Sequence, residues 1–108
     1  MEKVFNKLVR DNIPDIIKQN GETPVTRILN DDEYKEELYK KLIEEANEVI
    51  ESKDSNSTLE ELADVLEVLK AIAKLNNSDL NDVIKIGDQK RIKRGGFEKR
   101  IFLEKNIK

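Results

Sequence analysis

The fold this sequence predicts is all-α: a bundle based on a helical hairpin and completed by oligomerisation. Three observations carry that expectation. Apolar residues recur at helical spacing through two long stretches separated by the polar break Ser52 to Ser57. Charged residues make up 40% of the chain and aromatics 5%, which suits long helices with solvated faces, or a subunit whose core a partner completes. Segments of strand character are short and lie outside the long helical stretches. With 108 residues and no internal repeat, low-complexity tract or linker, residues 1–108 read as one domain.

Taken in order, residues 1–8 read as extended or loosely packed, with Val4, Phe5, Leu8 and Val9 offering apolar contacts. A short helix follows from Ile13 to Gln19, with Asp11 or Asn12 near its cap, Pro14 in its first turn and Gly21 beyond its end. Glu22 to Leu29, with Pro24 and the residues Val25, Thr26, Ile28 and Leu29, suits a short strand. Arg100 to Glu104 has the same character, so a small two-stranded β pairing of the terminal segments is expected.

The first long helix begins after Asn30, with Asp31, Asp32 and Glu33 complementing its dipole, and ends near Ser52. Lys53 to Asn56 forms the turn. Ser57 with Glu60 three residues on reads as a capping box that opens the second long helix, which runs to about Asn76. A third starts at Ser78 or Asp79, carries Leu80, Val83, Ile84 and Ile86, turns basic, and ends at Gly95-Gly96.

Absences narrow the chemistry. Without Cys or His there are no disulfides, thiolates, zinc fingers or His-based triads, so a catalyst here works with Asp, Glu, Lys, Arg, hydroxyls or a bound metal. No apolar run is long enough to span a membrane, and Met1-Glu2-Lys3-Val4-Phe5 is not a signal peptide, so the expected location is cytoplasmic, with no membrane partner. Residues 1–83 hold 11 Lys or Arg against 20 Asp or Glu, a balance of −9, whereas residues 84–108 hold 9 against 3, a balance of +6. A metal plus polyphosphate site wants both signs; a solvated basic tail is the plainer reading.

The acids of the hairpin fall in unexpected places. On the second long helix Glu60, Glu67, Lys70 and Lys74 mark the water face, while Glu61 and Asp64 fall inside the apolar arc near Val68, Ala71, Ile72 and Leu75. On the first, Tyr34, Leu38, Leu42, Ala46 and Val49 form the stripe; Glu45 lies within it, Glu48 at its edge and Glu44 further out. Glu48 and Glu45 precede Ser52 by four and seven residues, and Glu61 and Asp64 follow Ser57 by four and seven. Both pairs therefore sit roughly 6 and 10 Å from the turn, at matching heights in an antiparallel hairpin. Carboxylates crowded against an apolar surface repel one another and lose hydration unless a cation joins them or their pKa values rise. Oxygen-only ligands favour Mg2+, with Mn2+ as the alternative. Taken alone, Glu45 and Glu48 read as acids paired with Lys on their own helix and Glu61 as an early-helix residue favoured by the dipole; the coincidence of the two pairs points to a metal held by Glu45, Glu48, Glu61 and Asp64.

At these residues the chain resembles the MazG-like all-α nucleoside triphosphate pyrophosphohydrolase superfamily, whose signature is EExxE, a gap, then ExxD. Glu44-Glu45-Ala46-Asn47-Glu48 is followed by twelve residues and then Glu61-Leu62-Ala63-Asp64. Lys7-Leu8-Val9-Arg10-Asp11 and Lys93-Arg94-Gly95-Gly96-Phe97 look like the phosphoribosyl-ATP-pyrophosphohydrolase-like branch. The resemblance implies a magnesium-dependent enzyme that splits a nucleotide between the α and β phosphates, and a homodimer or homotetramer with the nucleotide near the subunit interface. It also implies that Lys7 and Arg10 border the nucleotide pocket, although the residues alone read as surface or capping positions. On this reading Glu48 or Glu45 is the general base, and Lys90, Lys93 and Arg94 neutralise the pyrophosphate. Gly87 and Arg91 stand where other members often carry Lys and Asn, a departure within the phosphate grip. The competing readings are a non-catalytic helical interaction module and a nucleic-acid binder using the basic residues after Lys85. Acidic overall charge and few aromatics weigh against nucleic acid.

Overall fold

The computed structural model describes all 108 residues: four helices and no strand, α1 (Ile13–Gln19), α2 (Asp31–Glu51), α3 (Ser55–Leu75) and α4 (Leu80–Arg94). Pro14 opens α1, where its missing N–H is not needed, and Gly21 closes it at φ +85°. There the Gly21 and Glu22 amides donate to Lys18 and Ile17, so the last carbonyls of α1 are satisfied. α2 opens on a reciprocal cap: the Glu33 amide donates to Asn30 Oδ1 at 2.9 Å and the Asn30 amide donates to Glu33 Oε1. Arg27 adds a two-point grip on the same Glu33 carboxylate, which holds it below the ordinary glutamate range.

The start of α3 departs from the expected capping box. Its N-cap is Asp54, whose Oδ1 accepts from the Ser57 amide at 2.8 Å, so the helix begins at Ser55 and Ser57 sits inside its first turn. Aspartate caps as well as serine does, and starting earlier lets the Thr58 amide bond back to the Asp54 carbonyl. The connection is thereby cut to residues 52–54, with the Ser52 and Thr58 hydroxyls 2.7 Å apart across it. Asn77 takes the left-handed conformation at φ 57° to end α3, Asp79 caps α4, and Gly95 at φ +82° ends it.

The expected β pairing is absent. Residues 22–30 and 101–108 carry no regular structure, and Val25, Ile28, Ile101 and Phe102 are exposed. A two-stranded ribbon is marginal in water unless a third strand or a helix covers its apolar face, and nothing here covers one.

α2 and α3 pack extensively against each other, α3 touches α4 lightly, and no other helices meet. Leu38, Val68 and Ala73 are the only buried residues, all within the hairpin. The radius of gyration is 18.3 Å, against about 13 Å for a globule of this length. Each long helix also carries a second apolar stripe facing outward: Tyr39, Ile43, Ala46 and Ile50 on α2, and Leu59, Leu62, Leu66 and Leu69 on α3, all exposed. Their alternating three- and four-residue spacing is that of a helix–helix seam.

Candidate metal centre

The short connection between α2 and α3 sets the register of the hairpin, and that register brings Glu45, Glu61 and Asp64 together. One carboxylate oxygen from each lies within 4.8 Å of the other two, and all three residues are half-buried. Glu61 Oε2 is shut off from solvent and receives no hydrogen bond. A buried acceptor without a donor is uncommon and calls for an explanation. Burial, and after it the negative charge of Glu48, raises the Glu61 carboxyl above the ordinary glutamate range. Burial raises Glu45 as well, against the pull of Lys41 and with help from Asp64, Glu48 and Glu44.

Three oxygen donors on rigid helices, one with no other partner, fit a hard divalent cation. Glu48 stands outside the trio. It is exposed beside Glu61, close enough to accept a hydrogen bond from a protonated Glu61, and both residues line a shallow hollow, open to solvent, at the hairpin turn.

Cations surround the acids. Lys7 Nζ donates to Glu44 Oε1 at 3.1 Å, and Arg10 Nη1 donates to Asp64 Oδ1 at 3.2 Å with its Nη2 3.6 Å from Glu67. The irregular segment before α1 thus reaches both helices of the hairpin. Lys41, one turn before the acidic pair of α2, lies 3.3 Å from Glu44 and 3.6 Å from Glu45. For Glu44, burial pushes the pKa up but hydrogen bonds from Lys7 and Lys41 outweigh it, leaving the carboxyl below its ordinary range. From sequence Glu67 reads only as a water-face residue and Lys41 is not singled out, although Lys41 stands at i−3 and i−4 from Glu44 and Glu45, a spacing that pairs charges on one helix face.

The basic end of the chain forms no ion pair with the acids of the hairpin. Lys90, Lys93 and Arg94 are exposed and form no ion pair. Arg91 is clamped to Glu98 across Gly96, where a Cβ would run into both side chains.

Over 54 residues the chain is 46% identical to an uncharacterized protein of Mycolicibacterium smegmatis, a match covering 50% of this chain and 55% of that one. This chain therefore spans little more than half the length of that relative. No solved structure matches. The model of the MazG nucleotide pyrophosphohydrolase domain matches residues 33–96, which take in both acidic pairs, nearly all of the hairpin and the whole of α4. That stretch is more than half of the sequence, and the chain belongs to the MazG nucleotide pyrophosphohydrolase domain family.

Proposed function

We propose that this protein is a divalent-metal-dependent pyrophosphohydrolase. Its reaction splits a (deoxy)nucleoside triphosphate, or a related nucleotide such as phosphoribosyl-ATP, into monophosphate and pyrophosphate, in the service of nucleotide-pool sanitation. The observation that carries the reading is the carboxylate trio with its unpartnered Glu61 Oε2. Family membership supports the reaction class.

Glu45, Glu61 and Asp64 would hold Mg2+, or Mn2+, with Glu48 completing the set from the rim. When bound, such an ion offsets charge on phosphoryl oxygens and lowers the pKa of a nearby water. Glu48, the most exposed of the four, is the side chain freest to accept a proton from the attacking water; Glu45 is the alternative. Lys7 and Arg10, already beside the acids, face the same charge that a polyphosphate brings.

Lys90, Lys93 and Arg94 are assigned to the departing pyrophosphate. In an assembly they would reach a site through a second copy, since α4 touches its own hairpin only lightly and these three side chains are exposed. The outward stripes of α2 and α3 and the three-residue core support a homodimer or homotetramer.

The test is a magnesium-dependent screen of common and modified nucleoside triphosphates and phosphoribosyl-ATP, measuring pyrophosphate against orthophosphate. Pyrophosphate from at least one substrate, lost in Glu45→Gln and Asp64→Asn, is expected. No pyrophosphate from any of them sinks the reading. A non-catalytic interaction module is favoured by one observation, that Lys41 and Arg10 already give Glu45 and Asp64 ionic partners. It requires that magnesium leave the melting temperature of wild type unchanged and that no pyrophosphate form.

A further inference from the structure

We propose that Arg10 and the divalent cation compete for Asp64, so that loading the metal moves the guanidinium off Asp64 and onto Glu67. The inference rests on the metal reading above and concerns a residue outside the stretch that the family model matches.

Asp64 is claimed twice. It supplies an oxygen to the trio with Glu45 and Glu61, and its Oδ1 also accepts from Arg10 at 3.2 Å. A guanidinium and a doubly charged ion on one small carboxylate repel each other across a few ångströms, so each weakens the hold of the other.

Arg10 is the one that can leave. The pair is substantially open to water, with side-chain exposures of 59% and 40%, and exposed ion pairs of this kind are weak. An alternative partner stands ready at Glu67, one helical turn beyond Asp64, already 3.6 Å from Arg10 Nη2 and outside the trio. Lys7, three residues earlier, holds Glu44 on the opposite helix. With Leu8 and Val9 half-buried between the two basic residues, the segment stays against the hairpin while the guanidinium changes partner, which keeps Arg10 near the cluster. By contrast, the nearest cation on α2, Lys41, is only 15% exposed and is held within its own helix.

The experiment titrates Mg2+ alone, without nucleotide, into the full chain by calorimetry. Arg10→Gln is compared with wild type, with Asp64→Asn, and with Lys105→Gln, which makes the same change in net charge far along the sequence. Arg10→Gln is expected to bind Mg2+ about two- to five-fold tighter than wild type, the range set by the loss of one exposed ion pair. Lys105→Gln is expected to match wild type. In parallel, the Arg10 Nε–H resonance of the unmutated protein shifts as Mg2+ saturates the site, while that of Arg27 does not.

Equal or weaker binding by Arg10→Gln, or an Arg10 resonance indifferent to Mg2+, overturns the competition but leaves the metal site standing. Failure of both wild type and Arg10→Gln to bind Mg2+ removes the metal site and the competition with it.

Discussion

Glu45 on α2 and Asp64 on α3, nineteen positions apart in sequence, bring carboxylate oxygens within 4.8 Å of each other. Two like charges at that separation are eased by a nearby positive charge or by a raised pKa, and here Lys41 and Arg10 serve as the protein's own counter-charges. Such a site is at its least comfortable with every carboxyl ionised.

Neutralising one ligand therefore has opposite effects on stability and on activity. Glu61→Gln removes a half-buried charge, so the metal-free protein is expected to melt higher than wild type. The same variant loses the magnesium-induced rise in melting temperature and at least about 100-fold in pyrophosphate release, since removing even an outer partner of a metal ligand costs 10- to 100-fold. Thermal melts with and without Mg2+, run beside the pyrophosphate assay, check both halves.

The pH dependence follows from the same groups. Glu45 and Glu61 carry pKa values raised in the folded chain, so the stability they contribute is fully present below the ordinary glutamate value and is lost as pH climbs through the raised values. Metal-free protein should lose melting temperature across that window, whereas Glu44, whose pKa is lowered, contributes stability that is lost on the acid side. Magnesium binding should release protons near the raised values. Titrations in two buffers of different ionisation enthalpy measure that release.

The cap of α3 can be decided by two alanines. Asp54→Ala removes the acceptor of the Ser57 amide and should lower the melting temperature by a few degrees; Ser57→Ala should leave it nearly unchanged. A larger loss for Ser57→Ala would restore the cap expected from the Ser57–Glu60 spacing.

Assembly is addressed on α3. Leu62 and Leu69 lie on the exposed stripe, 46% and 38% open, so the double change Leu62→Glu and Leu69→Glu should drive the protein to monomer in sedimentation velocity. Wild type sedimenting as a monomer at micromolar concentration would contradict the proposed dimer or tetramer.

Helices and their approximate ends were legible because periodicity and caps are local signals. Ile13–Gln19 and Asp31–Glu51 follow directly from Pro14, Gly21, Asn30 and Glu33. The inward placement of Glu45, Glu61 and Asp64 was legible too, since helical phase and height above the turn are both countable. What failed was what depends on neighbours. The segments 22–29 and 100–104 have strand composition but no surface to pair against, and the first cap of α3 went to Asp54 because two residues competed for one role. The outer position of Ala46 was hidden as well: with apolar residues on two sides of α2, composition does not say which side meets α3. Glu67 reads as a plain solvent-face residue until Arg10, from a segment without periodicity, is seen to reach it.

Three covered side chains are a very small reservoir of hidden apolar surface. A solitary copy would expose little new hydrocarbon on melting, giving a shallow denaturant slope and a small heat-capacity step. A steep, cooperative transition would mean that neighbouring copies contribute to what is being melted, and its midpoint would then fall on dilution.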